Sequence, residues 1–384
     1  MRDSQAAILV ALDFGNPAFE EENEEFVRLA ESGGVRRFRL VRGRRARPDP
    51  KFFAGSGKAE EIGREAEDLN AAVVIFNHQL SASQQRNLEQ KLERRVLDRT
   101  DLILEIFAQR ARTSEGKLQV ELAQLEHLST RLVRGWTHLE RQRGGLGATG
   151  GPGETQLELD RRLIGQRVRL LRTKLEKLRE RRIVQRRSRS RREVLSVSLV
   201  GYTNAGKSTL FNALTHARAY AADKLFATLD TTTRRVWLEG AYGGDSEKEG
   251  VGVTLSDTVG FLRELPHGLV AAFRATLEET NQADLLIHVV DSGSVARESQ
   301  MEEVKRVLAD IGVADVRQIE VWNKIDLSGL APGLDRDECG RISRLRVSAR
   351  TGAGLPELRG ALAQIAREHG PEARGQNAKP EYSP

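Results

Sequence analysis

Val194-Leu195-Ser196-Val197-Ser198-Leu199-Val200 runs directly into Gly201-Tyr202-Thr203-Asn204-Ala205-Gly206-Lys207-Ser208, and Thr209 to Thr215 continue in a helical pattern. An apolar strand, a G-x-x-x-x-G-K-[ST] loop and a helix, in that order, let backbone N–H groups curl around phosphate oxygens while the helix N-terminus adds its dipole. On this reading the residues Gly201, Tyr202, Thr203, Asn204, Ala205, Gly206, Lys207, Ser208 and Thr209 cradle the phosphates of a nucleotide. Lys207 reaches the β- and γ-phosphates, and Ser208 binds Mg²⁺. The fold expected around such a loop is α/β: a mostly parallel sheet with helices on both faces.

Working downstream, Val251 to Ser256 reads as a strand ending in Asp257-Thr258-Val259-Gly260, where Asp257 can hold the Mg²⁺ shell and the Gly260 N–H can meet the γ-phosphate. Ile319 to Trp322 is another strand, ending in Asn323-Lys324-Ile325-Asp326. Asp326 can accept both the N1–H and the N2 amino protons of guanine, a pair that adenine does not offer. Asn323 can address the other edge of the ring and the loop, with Lys324 between them. After a further strand the backbone of Ser348, Ala349 and Arg350 can meet guanine O6. Each match alone is an ordinary strand-end turn. The ordered set at strand C-termini is where open α/β sheets bind ligands, and it specifies a site for GTP and GDP.

Working outward, 384 residues are enough for two or three domains with real cores, which excludes a peptide factor or a disulfide-stapled miniprotein. Cys339 is the single cysteine, so no intramolecular disulfide and no Cys-based zinc site can form, and a reducing compartment follows. Apolar runs such as Ala71 to Phe76 fall far short of the ~20 residues that span a bilayer. Ala6 to Leu12 could pass for a secretory core, but Asp3 offsets Arg2 and Asp13 ends the run, so a buried first strand is expected. The localisation expected is cytoplasmic, at most peripheral to a membrane, and the chain is expected to be a monomer.

The net charge of +6 is concentrated. Between Arg161 and Arg192 stand fifteen basic residues and two acidic ones, whereas the rest of the chain holds 46 basic and 53 acidic residues. Such a segment is the electrostatic footprint expected on a polyanion, the alternative being a solvated helical face. It follows a small α/β layer, residues 1–112, in which Ala6 to Leu12, Val35 to Val41, Ala71 to Asn77 and Arg95 to Asp98 read as partly parallel strands alternating with helices. Gly55-Ser56-Gly57-Lys58 lacks the earlier glycine of a phosphate loop, since Phe52 stands there, and reads as a turn into a helix. Heptads then run through Leu118, Leu122, Leu125 and Leu132, and again through Ile164, Val168, Leu171, Leu175 and Leu178. They predict a long antiparallel helical hairpin over 113–187, with a glycine-rich tip loop over 144–153. A basic linker over 188–192, the nucleotide domain over 193–369 and a disordered tail over 370–384 complete the expected organisation.

These residues together resemble the translation-factor-like class of P-loop GTPases and, more narrowly, the HflX family of ribosome-associated GTPases. The narrow resemblance rests on Asp98-Arg99-Thr100 through Ile106-Phe107-Ala108-Gln109-Arg110-Ala111, on Gly116-Lys117-Leu118-Gln119-Val120-Glu121-Leu122, on Arg134-Gly135-Trp136-Thr137-His138-Leu139-Glu140 and on Gly151-Pro152-Gly153-Glu154-Thr155-Gln156-Leu157-Glu158. It implies GTP hydrolysis, binding to the large ribosomal subunit and its rRNA, and a role in splitting ribosomes or rescuing stalled ones. Many members carry a further C-terminal domain; here the last predicted helix is Leu355 to Glu368. Leu225-Phe226-Ala227-Thr228 resembles the motif whose threonine binds Mg²⁺, with Thr231, Thr232 and Thr233 left as alternatives. Asn204 resembles the asparagine that helps hold K⁺ in related GTPases. Phe261 stands where a water-positioning glutamine often does, so unaided hydrolysis is expected to be slow. The catalytic set expected is therefore Lys207, Asn204, Thr228 and Gly260, and the Mg²⁺ ligands are Ser208, Thr228 and Asp257. The competing reading is an RNA-binding module that keeps GTP as a structural ligand. A GTPase of tRNA modification is disfavoured, since only Cys339 could serve as its cysteine.

Overall fold

The structure, a computed structural model, describes residues 6–134, 152–187, 194–215, 225–226, 228–238, 250–263 and 280–369. The expected tip over 144–151, linker over 188–192 and tail over 370–384 lie outside the described residues. The chain divides into two compact units, with the boundary between Lys177 and Leu178.

The first unit begins with β1 (Ala6–Asp13), α1 (Phe19–Ser32), β2 (Arg37–Arg44), α2 (Ser56–Asp68), β3 (Val73–Phe76), α3 (Ala82–Leu92) and β4 (Arg95–Leu97). The four strands are ordered β2-β1-β3-β4, and every pairing is parallel, where the sequence suggested a partly parallel layer. β1 and β3 are the inner strands, and their unbroken apolar runs are buried, as strands covered on both faces require. Gly55 precedes α2 with φ 85°, so the glycine-lysine segment is the expected turn into a helix.

Asp98 then caps α4 (Arg99–Arg110), accepting from the Asp101 N–H at 2.8 Å. The same carboxylate accepts from Arg131 of α5 (Ser114–Arg134) at 2.5 Å, while Asp101 binds His127 of α5 at 3.0 Å. A motif that helps to identify the family thus also serves as a buried joint between α4 and α5.

The returning helix, α6, spans Pro152–Arg187. Pro152 and Gly153 therefore belong to the helix and not to the tip loop as expected. Proline lacks an N–H that the first helical position does not use, and its fixed φ suits that position. Arg167 pairs with Glu121 at 2.6 Å and Arg172 with Glu126 at 2.7 Å. With the leucines at a and d, Glu121 and Arg167 both fall at g, and Glu126 and Arg172 both at e. Like positions face each other across an antiparallel pair, whereas a parallel pair brings g to e. Two of the fifteen basic residues are thereby committed to the hairpin itself.

The second unit runs β5 (Leu195–Gly201), α7 (Lys207–Thr215), β6 (Thr232–Leu238), β7 (Val251–Asp257), β8 (Leu285–Asp291), α8 (Arg297–Asp310), β9 (Gln318–Asn323), α9 (Ile325–Ser328), β10 (Gly333–Arg336), β11 (Ile342–Arg346) and α10 (Leu355–His369). Its seven strands are ordered β10-β11-β9-β8-β5-β7-β6. The central pairings are parallel, and only β6 with β7 and β10 with β11 are antiparallel. Val197, Leu199, Ile287, Val289, Ile319 and Val321 enter one apolar core together with Phe211, Leu358 and Leu362. That core fixes the C-terminal ends of β5, β7, β8 and β9 side by side, and the loops that leave those ends build the site.

Candidate active site

The turn from β5 to α7 is possible only with glycines at defined places. Gly201 has φ 147°, and a Cβ there would strike the Val289 carbonyl. Gly206 has φ 94°, and a Cβ there would strike the Asn323 amide. Asn204 is also left-handed, at φ 60°, a conformation that asparagine tolerates better than most residues.

Lys207 is 6% exposed, and its ammonium donates to the Gly201 carbonyl at 3.0 Å and the Tyr202 carbonyl at 2.8 Å. Burial pulls its pKa down to about 8, with Asp257 opposing the shift. The ammonium thus sits folded back on its own loop, with no carboxylate at contact distance among the described residues. A phosphate is the kind of group that would draw it out.

Asp257, at the end of β7, is 1% exposed, and burial raises its pKa above the usual carboxylate value. Its Oδ2 accepts from Ser208 at 2.7 Å and from Thr228 at 2.9 Å, and the two hydroxyls lie 2.7 Å apart. Its Oδ1 is buried without a hydrogen-bond partner. Three oxygen donors so gathered, one of them charged and undersatisfied, fit a hard divalent cation such as Mg²⁺. Of the threonines left open by spacing, Thr228 joins this group. Thr233 instead bonds Ser256 at 3.0 Å, and Thr232 enters β6 opposite Asp257.

Gly260 packs against the phosphate loop: a Cβ there would lie 2.9 Å from Thr203 Cα and 3.0 Å from Lys207 Nζ. Phe261 extends the same contact, its carbonyl accepting from the Thr203 N–H at 2.7 Å and its N–H donating to Gly201 O at 3.1 Å. The Phe261 ring is 1% exposed, so it anchors the segment in the core.

At the base end, Asn323 makes the loop contacts that its motif suggested. Its Nδ2 donates to Ala205 O at 3.0 Å and its Oδ1 accepts from the Ala349 N–H at 2.9 Å, so it ties the phosphate loop to the 348–350 loop. Lys324, at φ 64°, donates to Asp291 at 2.8 Å. Asp326 is held by Ser348 Oγ at 2.6 Å and is otherwise exposed, free to receive a base edge. Ser348 and Ala349 are buried, whereas Arg350 and Thr209 are exposed. Asp291 is not among the residues that the sequence points to. Only the sheet order brings β8, β9 and the phosphate loop together.

A basic surface also went unread. Residues 36–47 hold seven arginines and no acidic residue, and most of them lie on β2, an edge strand of the first sheet. The signal was present in the composition but was masked by the larger excess downstream. Arg39 and Arg42 are committed to Glu65 and Glu20, while Arg36, Arg37 and Arg47 have no ion-pair partner among the described residues.

Residues 20–108 match the family described as GTP-binding GTPase N-terminal, residues 110–189 the GTP-binding GTPase middle region, and residues 196–324 the 50S ribosome-binding GTPase. The solved structure of SsGBP with GDP has a TM-score of 0.50 to this chain at 24% identity, over 95% of this chain and 99% of that one, and shares its fold. The GTPase HflX of Caldanaerobacter subterraneus subsp. tengcongensis is 44% identical over 94% of this chain and 80% of its own length. The GTPase HflX of Escherichia coli (strain K12) is 53% identical over 362 residues, 94% of this chain and 82% of that protein. With this identity along both units, the chain belongs to the HflX family of GTPases.

Proposed function

We propose that this chain hydrolyses GTP to GDP and phosphate, and that the bound nucleotide controls docking of its first unit on the large ribosomal subunit, where it splits ribosomes or rescues stalled ones. The observation that carries the reading is the cluster of Ser208, Thr228 and Asp257 beside the buried Lys207 ammonium. Charges and donors held there without full partners are preorganised for a metal-nucleotide complex. Ser208, Thr228 and Asp257 would hold Mg²⁺, which would supply positive charge against the charge that develops on the phosphates in transfer. Lys207 exchanges its loop carbonyls for phosphate oxygens, and the Gly260 N–H meets the γ-phosphate. Thr228 reaches Asp257 only when its own segment is folded in, so loss of the γ-phosphate releases that segment and signals the nucleotide state.

With its ring in the core, Phe261 does not position water by hydrogen bonding. K⁺ held through Asn204, whose side chain has no hydrogen-bond partner among the described residues, would supply the missing positive charge. Turnover should therefore be faster in K⁺ than in Na⁺ at equal ionic strength, and Asn204→Ala should remove the difference; equal rates for the wild type would discard the cation.

The RNA-facing surface in this reading is the exposed side of α6, where Arg161, Arg162, Arg169, Lys174 and Lys177 have no ion-pair partner among the described residues, together with the arginines of β2. Turnover with and without purified large subunits tests the whole. A large stimulation supports it, whereas unchanged negligible turnover favours a module that merely retains GTP.

A further inference from the structure

The second sheet is covered unevenly. β9 and β11 are parallel neighbours, and such a pair is ordinarily joined by a crossover helix lying on the sheet. Here residues 324–341 are spent on the four-residue α9 and on β10, which extends the sheet edge instead. β9 accordingly alternates. Ile319, Val321 and Asn323 are buried on one face, while Gln318, Glu320 and Trp322 are only half-buried on the other. A strand covered on both faces would read as a continuous apolar run.

This face is covered by α8 only in part, with Arg297 stacked 4.4 Å over the Trp322 ring, and beside that helix it holds a cavity of about 430 Å³, a size suited to a small ligand. It is lined by His288 of β8, which is 2% exposed and has no hydrogen-bond partner among the described residues. Burial pulls the His288 pKa down to about 4, against the opposing effect of Glu320, so the ring is neutral at pH 7 and can both donate and accept.

Around it stand Lys305, Arg317, Arg341 and Arg344, against Glu320 and Asp337. Each carboxylate already has its own arginine: Arg344 lies 2.9 Å from Glu320, and Arg341 lies 3.1 Å from Asp337. Arg344 is further fixed by stacking 4.2 Å over the Trp322 ring. Arg317 reaches Glu368 at 3.4 Å, and Lys305 has no ion-pair partner among the described residues. The lining therefore carries an excess of positive charge around a buried, unpartnered imidazole. Arg317 and Gln318 place the cavity towards the start of β9, whereas the nucleotide loops leave the ends of the strands.

We propose that this cavity is a second anion site, separate from the phosphate loop, that takes a small phosphate-bearing molecule. Its phosphate meets Lys305 and Arg317, and one of its oxygens accepts from the His288 ring N–H. The test uses the full chain saturated with Mg²⁺ and GDP, so that the phosphate loop is filled. Inorganic phosphate and ribose 5-phosphate are the probes, and the ¹⁵N shifts of the His288 ring are the readout. A saturable shift is expected, with affinity roughly tenfold weaker in Lys305→Gln and weaker again when Arg317→Gln is added, while GDP affinity stays unchanged. Chloride at equal ionic strength should leave His288 unmoved. No saturable shift with either probe up to about 10 mM would overturn the proposal, as would an unaltered titration in the double variant.

Discussion

Two glycine-lysine turns lead from strand to helix in this molecule, and only one of them is built for phosphate. In the first turn of α2, Lys58 is partly exposed and spends its ammonium on Arg42 O at 2.9 Å and Glu61 at 2.8 Å, while a Cβ on Gly57 would meet nothing within 4 Å. At the start of α7, Lys207 is buried with only loop carbonyls as hydrogen-bond partners among the described residues, and Gly206 leaves no room for a Cβ beside Asn323. The difference lies in length and surroundings. Four intervening residues let the loop wrap an anion, and the neighbouring strand ends withhold from Lys207 the carboxylate that Lys58 enjoys. A lysine kept from a contact partner inside a protein marks a place where a ligand completes the charge balance.

The largest expected effect breaks this comparison directly. Lys207→Met and Gly206→Ala should each lower GTP turnover by about a hundredfold or more, the scale of losing one preorganised transition-state donor. Lys58→Met should leave turnover unchanged. Gly57→Ala, in open space within a helix, should hold or raise stability by up to about 1 kcal/mol. Turnover and thermal melting of the four variants decide this, and a Lys58→Met enzyme as impaired as Lys207→Met would erase the distinction.

Next in size is base selection. Asp326→Asn places a donor against the guanine N–H groups, so GTP affinity should fall by roughly tenfold to a hundredfold, about 1.5 to 3 kcal/mol, with xanthosine triphosphate gaining. A competition titration reads it. Normal GTP affinity in the variant would move the base elsewhere.

Both of these effects were largely legible in the sequence, because the phosphate loop, Asp257, Gly260 and Asp326 sit at fixed offsets from strand ends that apolar runs reveal. The rest was not, for a physical reason: it depends on which strands become neighbours. Thr228 could be told from Thr231, Thr232 and Thr233 only once Asp257 lay beside it. Asn323 is expected to address the base edge and the loop, but which loops it ties, at Ala205 and Ala349, depends on the parallel pairing of β8 with β9. The basic segment looked unpaired because its acidic partners, Glu121 and Glu126, are 46 residues away on α5. Pro152 was read as a breaker because a proline does end helices, yet at a first position it begins one.

A smaller effect sharpens the contrast within α6 itself. Neutralising Arg169, Lys174 and Lys177 should flatten the salt dependence of large-subunit binding by about 2 to 3 in the log-log slope, one phosphate contact each. Neutralising Arg167 and Arg172 should change that slope less, since they face α5. Co-sedimentation across a salt series measures both, and equal slopes for the two variants would return the segment to a solvated face.

The central claim is that the nucleotide, whose Mg²⁺ Ser208, Thr228 and Asp257 would hold, governs docking of the first unit. Its most direct test is the affinity of the full chain for purified large ribosomal subunits, measured at one salt concentration with a non-hydrolysable GTP analogue and with GDP. The account predicts tight binding with the analogue, weak binding with GDP, and no nucleotide dependence in Thr228→Ala. Equal affinity in both nucleotide states of the wild type would contradict it.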